Sequence, residues 1–513
     1  MIYNNLILGA AILFAANLVN RILGFIYQYL IMNYIGSEAY GLFHMVFPIY
    51  MTALVFTTAG LPLAISKMVA EKVSVGHYAD AQKIFRIALI TLFLSGMFVS
   101  IVLFCNTSFI VNNFFADQRV YKIFQICTPA IFIVSIASAF RGYFQGLQNM
   151  FPSALSQVCE QIFRVIVGFT IASKLLVKGV EWAAVGIAAG MLFGEILGLG
   201  VISINYLLQK TQKSFDNRKS YQPSKTIFKN LLTLSLPVTG SRLMATGLSS
   251  LDAIIIPKQL QKAGYDPSTA TSLFGQFSGT AMTLLNFPSV FTFALSTSLV
   301  PAISEAIARN DYKLAQNRCT DSIKYTIIIG VPSVITLFYF AEPLAAMFKS
   351  QEVTNVLKLL AFGGLFAYVQ QTTIGILQGL GKTYLPLIHT IISSILRIPL
   401  LFYLTGTPQW GLLGSSWAYI IGFFCLAMLN IRAIINNTGM KFDCKVFIYQ
   451  PFSAGVCMII IINLIKNYLP ATTPSYLIAI FFGFIAYIII LKFNGGLNLK
   501  DLKKIPLFNR FIS

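Results

Sequence analysis

Long apolar stretches interrupted by short polar ones dominate this chain. Residues 89–105, 192–208, 325–340 and 477–491 are the clearest of them. Side chains of this kind, in runs of this length, leave no face that water can solvate. Such a segment needs hydrocarbon around it, and a helix of about 20 residues crosses that layer. Charged residues make up only 11% of the 513, where a soluble domain carries about 25%. There are too few polar side chains to cover a water-facing surface. The sequence predicts an all-α polytopic membrane protein.

The runs group into about 14 expected spans, at roughly 6–32, 40–66, 84–105, 120–140, 152–173, 182–208, 230–257, 270–304, 322–341, 353–379, 384–405, 410–431, 445–465 and 474–491. The first continues past Arg21 without a preceding basic segment, which fits a retained helix rather than a cleaved signal peptide. An even number of spans puts both termini on one side. Of the 37 Lys and Arg, 24 fall in the loops and ends on that side, 9 fall on the other, and Arg21, Arg164, Arg242 and Arg397 fall inside spans. Basic loops stay in the cytoplasm, so a cell-membrane location with both termini cytoplasmic is expected. The formal charge of +20 is therefore read as a topology signal, and no nucleic-acid partner is expected.

The longest basic loop, 210–229, separates two related halves. Gly142, Gln145, Gly146, Leu147 and Arg164 recur at Gly375, Gln378, Gly379, Leu380 and Arg397 with one constant offset. Pro62-Leu-Ala-Ile-Ser66 echoes Pro301-Ala-Ile-Ser304, and Trp182-x-x-x-Gly186 echoes Trp410-x-x-x-Gly414. An ordered series of matches indicates an internal repeat, and six helices per half make the repeats parallel. The expected organisation is an N-terminal six-helix lobe (1–209), a basic cytoplasmic linker (210–229), a C-terminal six-helix lobe (230–434), and two extra helices with a basic tail (435–513). The two pseudo-symmetric lobes would enclose a central cavity.

An ionisable residue deep in a span is expensive and usually faces a cavity or a partner. Arg21 and Arg242 lie at similar depth in the first helix of each half. A guanidinium stays charged and pairs bidentately with phosphate, so both are candidates to hold a pyrophosphate. The alternative for each is a packing arginine capped by carbonyls. Arg164 and Arg397, as repeat mates, are candidates for the same cavity or for glue within each lobe; Glu160 stands one turn before Arg164 and suits a pair with it. Asp252 and Glu195 are the remaining deep acids and candidates to bind a coupling cation. Pro48, Pro62, Pro237, Pro288 and Pro301, with Gly60, Gly240 and Gly247, interrupt spans 2, 7 and 8, as in helices that line a cavity or bend. The seven Cys form no CxxC and the three His are scattered. No nucleotide loop, nucleophile elbow or zinc motif is present. No catalytic residue, metal or cofactor is expected, and the chain does not read as an enzyme.

Several segments resemble one family. They are Asn20-Arg21-Ile-Leu-Gly24, Gly60-Leu-Pro62-Leu-Ala-Ile-Ser66-Lys67, Leu251-Asp252-Ala-Ile-Ile-Ile-Pro257, Leu295-Ser-Thr-Ser-Leu-Val-Pro301, Gln145-Gly-Leu-Gln-Asn149 and Gln378-Gly-Leu-Gly-Lys382. The family is that of stage V sporulation protein B, in the polysaccharide-export branch of the multidrug/oligosaccharidyl-lipid/polysaccharide exporter superfamily, related to the lipid II flippase. The resemblance implies a V-shaped cavity between two lobes. It also implies transport of an undecaprenyl-pyrophosphate-linked sugar across the cytoplasmic membrane, for peptidoglycan, spore cortex or another polysaccharide, by alternating access. It matches Arg21 to an arginine of that flippase. Tyr27-Gln28 and Thr283 depart from the flippase pattern, which has charged residues there. By the same analogy spans 13 and 14 would offer a groove for the lipid tail. A monomer is expected, with the anionic lipid, membrane lipids and cell-wall synthesis proteins as partners. Two other readings compete: a cation-coupled multidrug exporter, which would want cavity carboxylates, and a non-transporting scaffold of wall or cortex synthesis, which would not need buried arginines.

Overall fold

The computed structural model describes residues 2–58, 60–212, 223–470 and 472–497. Residues 213–222 of the linker and the basic tail from 498 lie outside the described residues. The described chain is helical, without a strand. It forms two compact units, Met1–Gly279 and Thr280–Ser513.

The first unit contains α1 (Ile2–Leu30), a π-helical turn (Ile31–Ile35), α2 (Ser37–Thr58), α3 (Leu61–Ser74), α4 (Tyr78–Cys105), α5 (Thr107–Phe114), α6 (Tyr121–Gly146), α7 (Phe151–Leu175), α8 (Val180–Gln212), α9 (Ser224–Lys262) and α10 (Pro267–Gln276). The second contains α11 (Met282–Asn286), α12 (Ser289–Ala308), α13 (Tyr312–Tyr339), α14 (Ala341–Met347), α15 (Thr354–Gly379), α16 (Tyr384–Thr405), α17 (Gly411–Thr438), α18 (Gln450–Tyr468) and α19 (Thr473–Phe493). The element order repeats. A long helix, a short helix of seven or eight residues and a single 3₁₀ turn (Gln118–Val120 or Gln351–Val353) precede α6 in one half and α15 in the other.

Eleven helical segments among the described residues are long and apolar enough to cross a membrane, against about 14 expected from the apolar runs. The helices α7 and α9 also have the length, about 38 and 58 Å at 1.5 Å per residue. Both carry charges, Glu160 and Arg164 on α7 and Arg242 and Asp252 on α9, and stand outside the apolar set. Spans 2 and 8 are interrupted as the prolines and glycines suggest. The second divides between α2 and α3 ahead of Pro62, and the eighth divides into α10, a π-helical turn, α11 and α12. By contrast, α9 runs unbroken through Pro237, Gly240 and Gly247. One lost backbone hydrogen bond is tolerable in a membrane helix when neighbours re-satisfy the freed group.

The duplicated motifs are helix seams. A methyl group on Gly142 of α6 would lie 2.8 Å from the Pro62 carbonyl oxygen, and one on Gly146 would lie 2.9 Å from that of Ser66. Their mates behave alike in the second unit, Gly375 against Ser296 and Gly379 against Val300 and Ile303, both on α12. Small residues let backbones touch where hydrocarbon gives no hydrophobic drive to associate. Each repeat thus preserves the contact of α6 with α3, or of α15 with α12.

The core of the first unit draws Ile65 and Val69 from α3, Ile84 and Phe85 from α4, Phe144 from α6, Ile202 from α8, and Ile227 and Leu231 from α9. Helix α9 lies antiparallel along α2 and α3. Gly60 meets Ser235, and Thr52 and Ser250 share a 2.8 Å hydroxyl contact. Beyond it α10 meets the start of α2, where the Ser37 and Ser272 hydroxyls are 2.8 Å apart. An ionic knot closes this end. Arg119 donates to Asp117 and to Glu38, each at 2.7 Å, while Thr271 donates to Asp117 at 3.0 Å and Ser268 to Glu38. In the second unit α15 packs on α12, α13 and α17, and α16 packs on α17. The last two helices pair with each other and dock on α13, with the Tyr487 hydroxyl donating to the Ile328 carbonyl at 3.0 Å.

Candidate functional site: intramembrane arginines and a buried ion network

Helices α7 and α8 pack in close contact along most of their length. Gly186, Gly190, Gly194 and Gly198 recur every fourth residue on α8 and form one stripe. A methyl on Gly190 would sit 2.1 Å from the α-carbon of Gly168, so the two backbones touch. That approach brings the charges of three helices together. Arg164 of α7 donates to Glu160, one turn earlier, and to Glu195 of α8, both at 2.7 Å. Arg141 of α6 donates to the second oxygen of Glu160 at 2.8 Å. Two arginines and two carboxylates alternate in a chain from Arg141 through Glu160 and Arg164 to Glu195. Glu195 is buried and the other three are largely covered. The hydroxyls of Tyr27 and Tyr50, buried and without a hydrogen-bond partner, lie within electrostatic range of Arg164. Burying ions requires this kind of mutual satisfaction, because an isolated charge costs several kcal/mol to desolvate.

The repeat mate of Arg164 is held differently. Arg397 on α16 is buried, with its guanidinium 4.8 Å from the centre of the Tyr419 ring on α17. Gly422 gives it room, for a methyl there would meet its Cδ at 2.8 Å. The position of Glu160 is taken in the second half by Ser393, whose hydroxyl donates to the Gly422 carbonyl at 2.8 Å.

Arg21 and Arg242 stand apart from both arrangements. Each is exposed. Arg242 lies about 27 Å from the start of α9 and about 30 Å from its end, on a side that also exposes Gly240, Ala245 and Ser249. Arg21 is one turn before Gly24, which faces Gln161 of α7. Asp252 is buried on α9. Of the two departures from the flippase pattern on α1, Tyr27 places its ring against Gly168, and Gln28 donates its amide to the Gly279 carbonyl.

Arg141 is the participant that sequence reasoning passes over. It stands beside the repeated Gly142, and its neighbourhood reads as a loop in the charge census. The four-residue spacing of glycines on α8 was the available signal, since a small-residue stripe announces a helix seam. Nothing local announces the meeting of Glu38 with Arg119. No group of three or more His, Cys, Asp or Glu suited to a metal occurs among the described residues.

Two repeats of membrane-length helices, with arginines set deep inside them, define a polytopic α-helical membrane protein. Solved structures share that fold. "Lipid II flippase MurJ, inward closed conformation" superposes with a TM-score of 0.72 at 19% identity, covering 93% of this chain and 97% of that one. An inward-facing multidrug resistance MATE transporter of the MOP superfamily superposes at 0.69 with 16% identity, covering 82% and 95%.

The chain belongs to the polysaccharide biosynthesis protein family, whose sequence model matches residues 6–307. Stage V sporulation protein B of Bacillus subtilis (strain 168) is 31% identical to it over 98% of both chains. Lipid II flippase MurJ of the same organism is 23% identical over 86% of this chain and 84% of that one. The MatE model matches residues 278–403.

Proposed function

We propose that this protein flips an undecaprenyl-pyrophosphate-linked sugar, a precursor of peptidoglycan or another polysaccharide, across the cell membrane by alternating access. Both termini are then cytoplasmic, a reading the distribution of Lys and Arg supports. The observation that carries the reading is the exposure of Arg21 and Arg242 far from the ends of their helices. A guanidinium at mid-span costs at least about 2.5–3.5 kcal/mol against lipid, so an exposed one belongs in a water-filled space. There it attracts an anion, and its planar fork suits a pyrophosphate. The other two arginines have structural roles in this reading: Arg164 organises the first half through its carboxylates, and Arg397 stacks in the second. Similarity to a lipid II flippase and to a sporulation protein supports the cargo class. No bond is made or broken, so no catalytic residue is assigned.

The match of the MatE model to 278–403 favours a second reading, a cation-coupled multidrug exporter. That reading needs carboxylates available to a cation, and Glu160 and Glu195 are both already bound to arginine. The deciding experiment reconstitutes the protein in liposomes and follows a fluorescent undecaprenyl-pyrophosphate disaccharide from one leaflet to the other. Wild type should transfer it, and the variant with Arg21→Ala and Arg242→Ala should not. Equal transfer by both would remove the arginines from the site. Transfer by neither, with folded protein, would turn attention to cationic drugs or to a scaffold.

A further inference from the structure

A cavity of about 260 Å³ opens between α3, α4 and the first turns of α9, away from the four arginines. Lys67, Glu71 and Lys72 of α3 line it, with Asn230 and Thr233 of α9 and the apolar Ile84 of α4. Two ammonium groups therefore face one carboxylate. Lys67 and Glu71 are 4.0 Å apart with both side chains more than half exposed, a geometry that holds weakly in water. Among the described residues Lys72 makes no ion pair and the Asn230 amide makes no hydrogen bond. The cavity thus presents two ammonium groups and an amide to one carboxylate.

Its place near the ends of two helices, and its mixed lining, point to the class of ligand. Asn230 and Thr233 lie about 9 and 14 Å along α9 from Ser224, and Lys67 about 10 Å before the end of α3. The cavity thus lies within the first three turns of α9 and the last two turns of α3. Lysines share the lining with the apolar Met68, Ile84 and Leu234, which suits a ligand that is charged at one end and apolar at the other. Lys229, next to Asn230, and Lys225 add positive charge at the start of α9. The charge census places these ends inside, where the leaflet is rich in anionic lipid and basic interhelical pockets take headgroups.

We propose that this cavity binds the phosphate headgroup of an anionic phospholipid from the inner leaflet. The phosphate would sit between Lys67 and Lys72, with the Asn230 amide as a further donor; the Thr233 hydroxyl already donates to the Lys229 carbonyl at 2.9 Å. Because α3 belongs to the first repeat and α9 opens the second, the bound lipid bridges the two repeats within this unit.

The test follows thermal unfolding of the full-length protein in detergent while phosphatidylglycerol is titrated, with phosphatidylcholine and inorganic phosphate as comparisons. Phosphatidylglycerol should stabilise wild type and phosphatidylcholine should not. Lys67→Gln with Lys72→Gln should raise the half-saturating lipid concentration roughly 30-fold, about fivefold for each lysine. Arg309→Gln with Lys313→Gln, a basic pair on the second unit, should leave it unchanged. Lys72→Gln alone serves if the double variant is unstable without lipid. An unchanged titration in the lysine variants overturns the site. Equal stabilisation by phosphatidylcholine, or displacement of the lipid by millimolar phosphate, overturns the assignment to an anionic phospholipid.

Discussion

A guanidinium between two carboxylates behaves unlike either pair alone. Removing Arg164 leaves Glu195 and half of Glu160 uncompensated in a largely covered site, and removing Glu195 leaves Arg164 with excess charge. Arg164→Gln or Glu195→Gln alone should destabilise the protein by about 3 kcal/mol, read as a fall in the detergent unfolding midpoint. The double variant leaves Arg141 and Glu160 as a neutral pair at 2.8 Å and should unfold closer to wild type than either single one. A double variant as weak as the sum of its parts would mean that the four residues do not act as one network. Part of this was legible in the sequence. Glu160 and Arg164 stand one helical turn apart and announce themselves. Glu195 is 31 residues further on and Arg141 lies 19 residues before Glu160. Their convergence depends on tertiary packing, which no local spacing encodes.

At the scale of elements, the seams are the informative features. Gly190 and Gly200 lie on the same helix, yet a methyl on the first would collide with the Gly168 backbone, and one on the second would meet nothing within 4 Å. Gly190→Leu should therefore cost at least about 1–3 kcal/mol by forcing α7 from α8. Gly200→Leu should stay within about 0.5 kcal/mol of wild type. Thermal unfolding of the two side by side checks both. A second expectation concerns the antiparallel contact of α2 with α9. Cysteines at Thr52 and Ser250, in a background without the seven native ones, should cross-link under mild oxidation because the native hydroxyls are 2.8 Å apart. Absence of the cross-link in membranes would separate these helices. The sequence showed the repeat but not what it was for. Gly142, Gly146, Gly375 and Gly379 recur because backbone must meet backbone at the same place twice. The breaks at Pro62 and Pro288 were readable, whereas the continuity of α9 through Pro237 was not, since a proline alone does not say whether its neighbours compensate.

For the whole molecule, membrane residence and the two related halves followed from hydropathy and the offset of matching residues, which are properties of the whole chain and survive local error. The grouping of α9 and α10 with the first unit did not. It rests on contacts such as Thr271 with Asp117, which bridge 154 residues. The charge asymmetry supplies the test of orientation. In the cysteine-free background, cysteines replacing Lys174 or Lys466 should react with an impermeant maleimide on intact cells. Cysteines replacing Lys313 or Lys441 should react only after permeabilisation. The opposite pattern would invert the topology and with it the direction of transport.

The ion network also bears on how the chain is made. Each charge at a helix centre opposes membrane insertion by about 2.5–3.5 kcal/mol, and α7 carries two of them. The turn Leu176–Lys178 and Gly179 join it to α8 with almost no slack, so the two can enter the bilayer as a hairpin with Glu195 already facing Arg164. A nascent chain stopped at Leu175 has Glu160 but not Glu195 to offer Arg164. Its last helix should remain accessible to protease, and the chain extended through α8 should become protected over both. The glycine stripe, seen this way, is an instruction to the ribosome-bound chain about which two helices travel together.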